Sequence, residues 1–474
     1  MTHPAARSPR LRHWLAGAWL AGTVVLGLAQ TGSSAGAPPQ LRIETGAHSG
    51  AIRAIASDAA GRYVVTAGED KTARVWESET GRLLRTLRPT SAAGNDGKLF
   101  AAAIAPDAGV VAVGGWSATN DVYVFDRGTG ALVQRITGLP DVVTRLVFAP
   151  DGRALAISLW GRNGVRLYSS TDGWRTSRET ASDAGYGAES YGSAFSADGR
   201  QFATTSFDGQ VRHYAVTGGA ERRLALVKAV RVEGGAQPFG IAFSPDGQSL
   251  AVGFGDAPAV RLLASSTLAP LPPPSAAGSA EGNAGGALST VAWSADGRTL
   301  YAAGTWKRGD GRHLLRRWPM AGAGAFGAPA DTLIARDSVA GLVPLRNGRI
   351  AFASTDASWG LLGAAGEPVA FQAVTALAGA APQAGTVASG LTDLRGPRSG
   401  FRIARDGGAL AFPVGAAATR AFDLRNAEWS ETDPQWSAPQ ASARGVALEQ
   451  WFESQQPMVN RKPCLLYTSD AADE

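Results

Sequence analysis

Of the five histidines in the 474-residue chain, His48, His213 and His313 lie beyond the first 37 residues. Imidazoles bind zinc or relay protons when a second ligand or carboxylate stands at fixed short spacing, as in His-Glu-x-x-His. These three are far apart and show no such spacing, so a metal site is not expected. The single cysteine, Cys464, falls in a C-terminal string read below as foreign, so residues 38–463 hold no thiol for a disulfide, thiolate catalysis or Cys-based zinc binding. There is no Gly-x-Ser-x-Gly elbow for a serine hydrolase. No Gly-rich string runs into Lys-Ser/Thr to cradle phosphate, and no alternating Asp/Asn run ends in Glu to hold calcium. No catalytic residue and no cofactor is assigned. The carboxylates instead concentrate in Asp-Gly steps, where their chemistry is to set backbone geometry.

Those steps repeat. FAPDGRALAIS around Asp151, FSADGRQFATT around Asp198, FSPDGQSLAVG around Asp246 and WSADGRTLYAA around Asp296 share one plan, with turn aspartates 47, 48 and 50 residues apart. Weaker copies surround Asp58, Asp107, Asn347 and Asp406. Asp-Gly suits a tight hairpin, because glycine accepts positive φ and the aspartate bonds its own backbone. A strand ending in an aromatic follows (Ala73 to Trp76, Val122 to Phe125, Val165 to Tyr168, Val211 to Tyr214), and a fourth completes the sheet (Leu83 to Leu87, Leu132 to Ile136). Four short antiparallel strands cannot bury both faces alone, so neighbouring sheets must stack, and radial stacking leaves only short edges. The expected fold class is all-β: a seven-bladed β-propeller at 41–375, with an eight-bladed ring as the alternative. Either Leu41 to Glu44 or Pro368 to Val374 would supply the outermost strand of the last blade.

The first unit, GAHSGAIRAIASDAAGRYVVTAGEDKTARVWESETG, resembles the WD-repeat (WD40) family. The resemblance implies a buried hydrogen-bonded tetrad of His48, Thr66, Asp70 and Trp76 linking the strands, and so a structural role for His48. Other units keep fragments of the motif, such as Phe125-Asp126 and Asp208 ahead of Val211 to Tyr214. The order of units is similar to the N-terminal half of large bacterial tandem-propeller proteins, some of which continue into a caspase-like peptidase domain. On that resemblance the unit around Asp406, within 391–463, opens a second propeller after a Gly/Ala-rich linker at 376–390.

Both ends stand apart. Arg7, Arg10 and Arg12, an apolar run from Trp14 to Ala29 and Ala35-Gly36-Ala37 read as a secretory signal over 1–37, so a periplasmic or extracellular location is expected. The apolar run is shorter than the ~20 residues of a membrane-spanning helix. Residues 464–474, CLLYTSDAADE, resemble translated sequencing-adaptor DNA and are expected to be foreign, with the natural chain running on past Pro463.

Composition bounds the partner. Hydrophobic residues make up 45% and charged residues 18%, which excludes a disordered chain, and a mean hydropathy of −0.05 argues against a multi-span membrane protein. The net charge of +5 is diffuse, without the clustered stripe of a nucleic-acid footprint. Trp116, Trp160, Trp306 and Trp359 fall near turns and are candidates for partner binding, because tryptophan is favoured at interface hot spots; Trp174 lies in similar sequence surroundings. Lys307 to His313 is the most basic local run and contains Arg-Gly-Asp, read as an exposed turn; Leu268 to Gly286 reads as an inserted loop. The expected function is that of a non-catalytic, exported scaffold, a monomeric ring that binds a protein or peptide through its loops. The alternatives are the docking part of a caspase-like peptidase and a propeller enzyme of lactonase or quinoprotein type.

Overall fold

The computed structural model describes residues 46–372, apart from 93, 276–284, 322–324 and 364–365, and the strands between 402 and 430. The N-terminal segment 1–37, Leu41 to Glu44, the linker 376–390 and residues 464–474 lie outside the described residues. The described secondary structure is β throughout.

Seven four-stranded antiparallel sheets follow one another along the chain, each with strands a to d in sequence order. In blade 1 these are Ile52–Ser57, Tyr63–Gly68, Ala73–Glu77 and Leu83–Leu87. The a–b turns carry the repeated Asp-Gly. Gly152, Gly199, Gly247 and Gly297 have φ of 71°, 68°, 71° and 71°, the left-handed region where a side chain is strained. In three blades the turn is braced twice. The Ser196 hydroxyl donates to Asp198 Oδ1 at 2.6 Å while accepting the Gln201 amide at 3.0 Å, and Ser244/Asp246 and Ser294/Asp296 repeat the arrangement. The serine hydroxyl and the amide two residues beyond each aspartate hold all three carboxyls below the usual aspartate range.

The ring is visible in the core. Seven apolar clusters each join one blade to the next, from Val65 and Val75 against Val111 and Phe125 in blades 1 and 2 round to Leu315 against Leu342 and Phe352 in blades 6 and 7. The seventh joins the last blade to the first: Ile55, Val64 and Trp76 meet Leu345, Ala351 and Trp359, with the two indole centroids 5.0 Å apart. A Cβ at Gly341 would stand 2.8 Å from Ile55 Cγ2, so glycine there lets the first blade's inner strand close in. Seven blades therefore complete the circle. The outermost strand of blade 7 is Pro368–Gln372, paired with Trp359–Leu362, so the C-terminal contender fills that place. An eighth four-stranded sheet, within 402–430, is separate from the seven.

The inserted segment differs in part from its reading as a loop. Pro270–Leu271 forms the short outer strand of blade 5, pairing with Leu262 and Leu263. Leu262 and Leu263 are core residues whose backbone needs a partner, and the first residues of the insertion supply it.

Candidate functional site

Alternating hairpins put the a–b and c–d turns on one face of the ring and the b–c turns and blade-to-blade connections on the other. His48 lies in the connection entering blade 1, Thr66 on strand b, Asp70 in the b–c turn and Trp76 on strand c. Their side chains form one chain of hydrogen bonds. The Trp76 indole N–H donates to Thr66 Oγ1 at 2.8 Å, and Thr66 Oγ1 lies 2.7 Å from His48 Nε2. His48 Nδ1 lies 3.0 Å from Asp70 Oδ2. An ionised carboxylate only accepts, so Nδ1 carries the proton and Nε2 accepts from the threonine hydroxyl. Asp70 also accepts the Ser49 amide at 3.1 Å and Arg74 Nη1 at 2.8 Å. Burial pushes this carboxyl upward, but the hydrogen bond from His48 and the charge of Arg74 outweigh it and leave it well below the usual range.

Blade 4 repeats the network with different residues. Tyr186, Thr204, Asp208, Arg212 and Tyr214 stand at one constant offset from His48, Thr66, Asp70, Arg74 and Trp76. Tyr186 Oη lies 2.6 Å from Thr204 Oγ1 and 2.8 Å from Tyr214 Oη, and Tyr214 donates to Asp183 at 2.8 Å. The carboxylate end fixes the proton order: Tyr214 spends its proton on Asp183, so Tyr186 donates to Tyr214 and Thr204 to Tyr186. Asp208 accepts the Gly187 amide at 3.0 Å and Arg212 at 2.6 Å, and the guanidinium lies 3.9 Å over the Tyr186 ring. Burial pushes the Tyr186 phenol up to about 12. The sequence signal for Tyr186 and Thr204 is that offset, anchored on Asp208; a search for histidine and tryptophan passes over it.

The family model for the WD domain, G-beta repeat (WD40), matches residues 40–77, which hold all four tetrad residues of blade 1. With seven such sheets closed in a ring, the fold and the motif agree. The chain is a WD40-repeat β-propeller protein. No curated protein matches it. WD40 propellers generally mediate protein interactions and are typically non-catalytic scaffolds. Among the described residues no group of three or more His, Cys, Asp or Glu comes together as a metal site, and no helix is long and apolar enough to cross a membrane.

The propeller's tryptophans divide. Trp116 and Trp160 are half-buried at the central channel's mouth on the b–c face, their ring centroids 6.3 Å apart. Phe100, Tyr191 and Phe239 line the same mouth from inner strands, and Tyr191 packs on Phe239 at 5.0 Å and on Phe207 at 4.6 Å. Together they bound about 650 Å³ of space open to solvent. Trp306 and Trp359 correct the sequence reading: they are 8% and 1% exposed and cannot meet a partner without opening the core. Trp306 packs in the cluster between blades 5 and 6 with Arg316 4.6 Å over its ring, and Trp359 fills the seam between blades 7 and 1. Trp174 is buried too, its edge on Phe148 and its N–H donated to Gly152 O at 2.8 Å. In the basic turn of blade 6, Asp310 takes ion pairs from both Arg308 and Arg312, so the Arg-Gly-Asp carboxylate is engaged within its own turn.

Proposed function

We propose that the propeller is a non-catalytic scaffold whose protein or peptide partner seats on the b–c face over the channel mouth. The observation that carries this reading is the convergence of aromatic side chains from blades 2, 3, 4 and 5 on one opening, all half-buried but the buried Tyr191. Large rigid rings give contact area at small entropic cost, and the inner strands hold them in fixed positions, so little ordering is required on binding. The His48 and Tyr186 networks serve this indirectly by pinning the connections of blades 1 and 4 on that face. The tetrad histidine is thus a structural residue in this reading.

Export to the periplasm or the extracellular space is part of the proposal and rests on the charged, apolar and small-residue order of 1–37. Mass spectrometry of the protein recovered from an exporting host should give a mature N-terminus after Ala37; an intact residue 1 in the cytoplasm would refute it. The scaffold reading is tested with an arrayed panel of ten-residue peptides titrated against the full chain by fluorescence anisotropy. Trp116→Ala with Trp160→Ala should remove binding, whereas Arg153→Ala at an a–b turn should leave it. Binding that ignores both tryptophans would overturn the assignment of the face.

A further inference from the structure

Inside the aromatic mouth stands a cation without a counter-ion. Arg53, the other arginine lining the opening, donates through Nε to Glu69 at 2.7 Å, and Lys98 shares that carboxylate at 3.0 Å. The half-buried side chain of Arg145, on the inner strand Val143–Phe148 of blade 3, has no hydrogen bond or ion pair with any described residue, and its Nε is shielded from water. It lies where the mouth meets a second space of about 370 Å³, also open to solvent, since both are lined by Arg145, Tyr191, Phe239 and Ala340. Neither space has an aspartate or glutamate in its lining. Desolvation pulls the guanidinium below the ordinary arginine pKa with no charge opposing it. A partly shielded, unpaired cation works against folding, and a methionine of similar length would fill the place without that penalty. The sequence nonetheless spends a β-strand position facing the channel on arginine.

We propose that Arg145 is the recognition residue of this mouth and receives the side-chain carboxylate of a glutamate in a partner peptide, with a neighbouring apolar residue seated between Trp116 and Trp160. Arginine presents paired N–H groups that match a carboxylate, and the surrounding rings exclude water and strengthen the pair. A glutamate fits the geometry better than a chain terminus. Arg145 borders both spaces whereas Trp116 and Trp160 line only the first, so a side chain can reach the guanidinium while the peptide backbone stays over the tryptophans. This rests on the scaffold reading of the same face.

The test uses the full chain and ten-residue peptides bearing Phe-Glu, with Phe-Gln and Phe-Lys counterparts, each with a free or an amidated C-terminus. Phe-Glu peptides should bind at least tenfold more tightly than Phe-Gln, whichever terminus they carry. Arg145→Met should erase the difference while raising the melting temperature, and Arg145→Glu should turn the preference toward Phe-Lys. Equal binding of Glu and Gln peptides that still depends on Trp160 would overturn the Arg145 assignment and leave the scaffold reading standing. A preference that follows the free terminus rather than the glutamate would also overturn it. Absence of binding by every peptide would count against both.

Discussion

Blades 1 and 4 solve one problem with two chemistries. In each, an aspartate in the b–c turn holds an arginine four residues on and an amide of the incoming connection, and hydrogen bonds link a residue of that connection, a threonine on strand b and an aromatic on strand c. Blade 1 uses imidazole and indole; blade 4 uses two phenols and recruits Asp183 as the terminal acceptor. What is common is the set of positions and the clamp of carboxylate, arginine and amide; residue identity and the order of donors and acceptors vary around it. The two also differ at a neighbouring position of strand c, where blade 1 buries Val75 and blade 4 buries His213 with neither ring nitrogen partnered among the described residues.

The largest effect should come from removing the turn carboxylates. Asp70→Ala takes the buried carboxylate away from Arg74 and His48, which keep only neutral partners such as Thr72 and Thr66, and chemical denaturation should show a loss of about 3–5 kcal/mol, the usual result of breaking a buried ion pair from one side. Asp208→Ala should lose less, because Arg212 retains the Gly185 carbonyl at 3.0 Å and the Tyr186 ring. Equal losses would mean that those two contacts contribute nothing. Next comes acid. Asp70 and Asp208 both have depressed carboxyls in the folded state, so their contribution is complete above about pH 4, the unfolded aspartate value, and falls away as the pH drops below it. Asp70→Asn should flatten that limb in melts recorded between pH 5 and 2.

Smaller still is the cost of the aromatic hydrogen bonds. Tyr214→Phe removes one hydroxyl and should lose about 1 kcal/mol. Trp76→Phe should lose more, since the indole also packs on Trp359 across the ring seam. The reverse order would place blade 4's phenol chain above blade 1's indole in importance. The smallest change expected is His213→Val, which gives blade 4 the residue of blade 1. Burial depresses the His213 pKa, so the neutral ring's contribution is intact above about pH 6.5 and is lost as the pH falls below it. His213→Val should therefore raise the melting temperature at pH 5.5 more than at pH 8. A uniform shift would exclude titration as the cause.

The ring was legible because its signal is local. Each Asp-Gly turn announces itself within a few residues, and its recurrence gives the blades and their number. The blade 1 tetrad was legible because all four side chains keep the identities of the repeat family. Tyr186 was not, since a tyrosine before a Gly-Ala pair resembles any loop residue until Thr204 and Asp208 are placed beside it in space. The channel mouth was less legible again. Phe100, Tyr191 and Phe239 come from three blades, and on an inner strand the alternation that separates core from solvent cannot distinguish a channel from an interface. Trp306 and Trp359 stand near turns along the chain, yet both side chains point back between sheets, which proximity to a turn does not reveal.

Every blade is built from four consecutive strands, and the last takes its outer strand from the residues that follow it rather than from the N-terminal side. A chain emerging N-terminus first can therefore zip each sheet as soon as it is available and lay it on its predecessor. One surface has to wait. The face of the first sheet that carries Ile55 and Trp76 gains its cover only when Trp359 arrives, some three hundred residues later. During that interval it is a sticky edge on an otherwise finished arc, and it is the place where a holdase or a second nascent copy would find its grip.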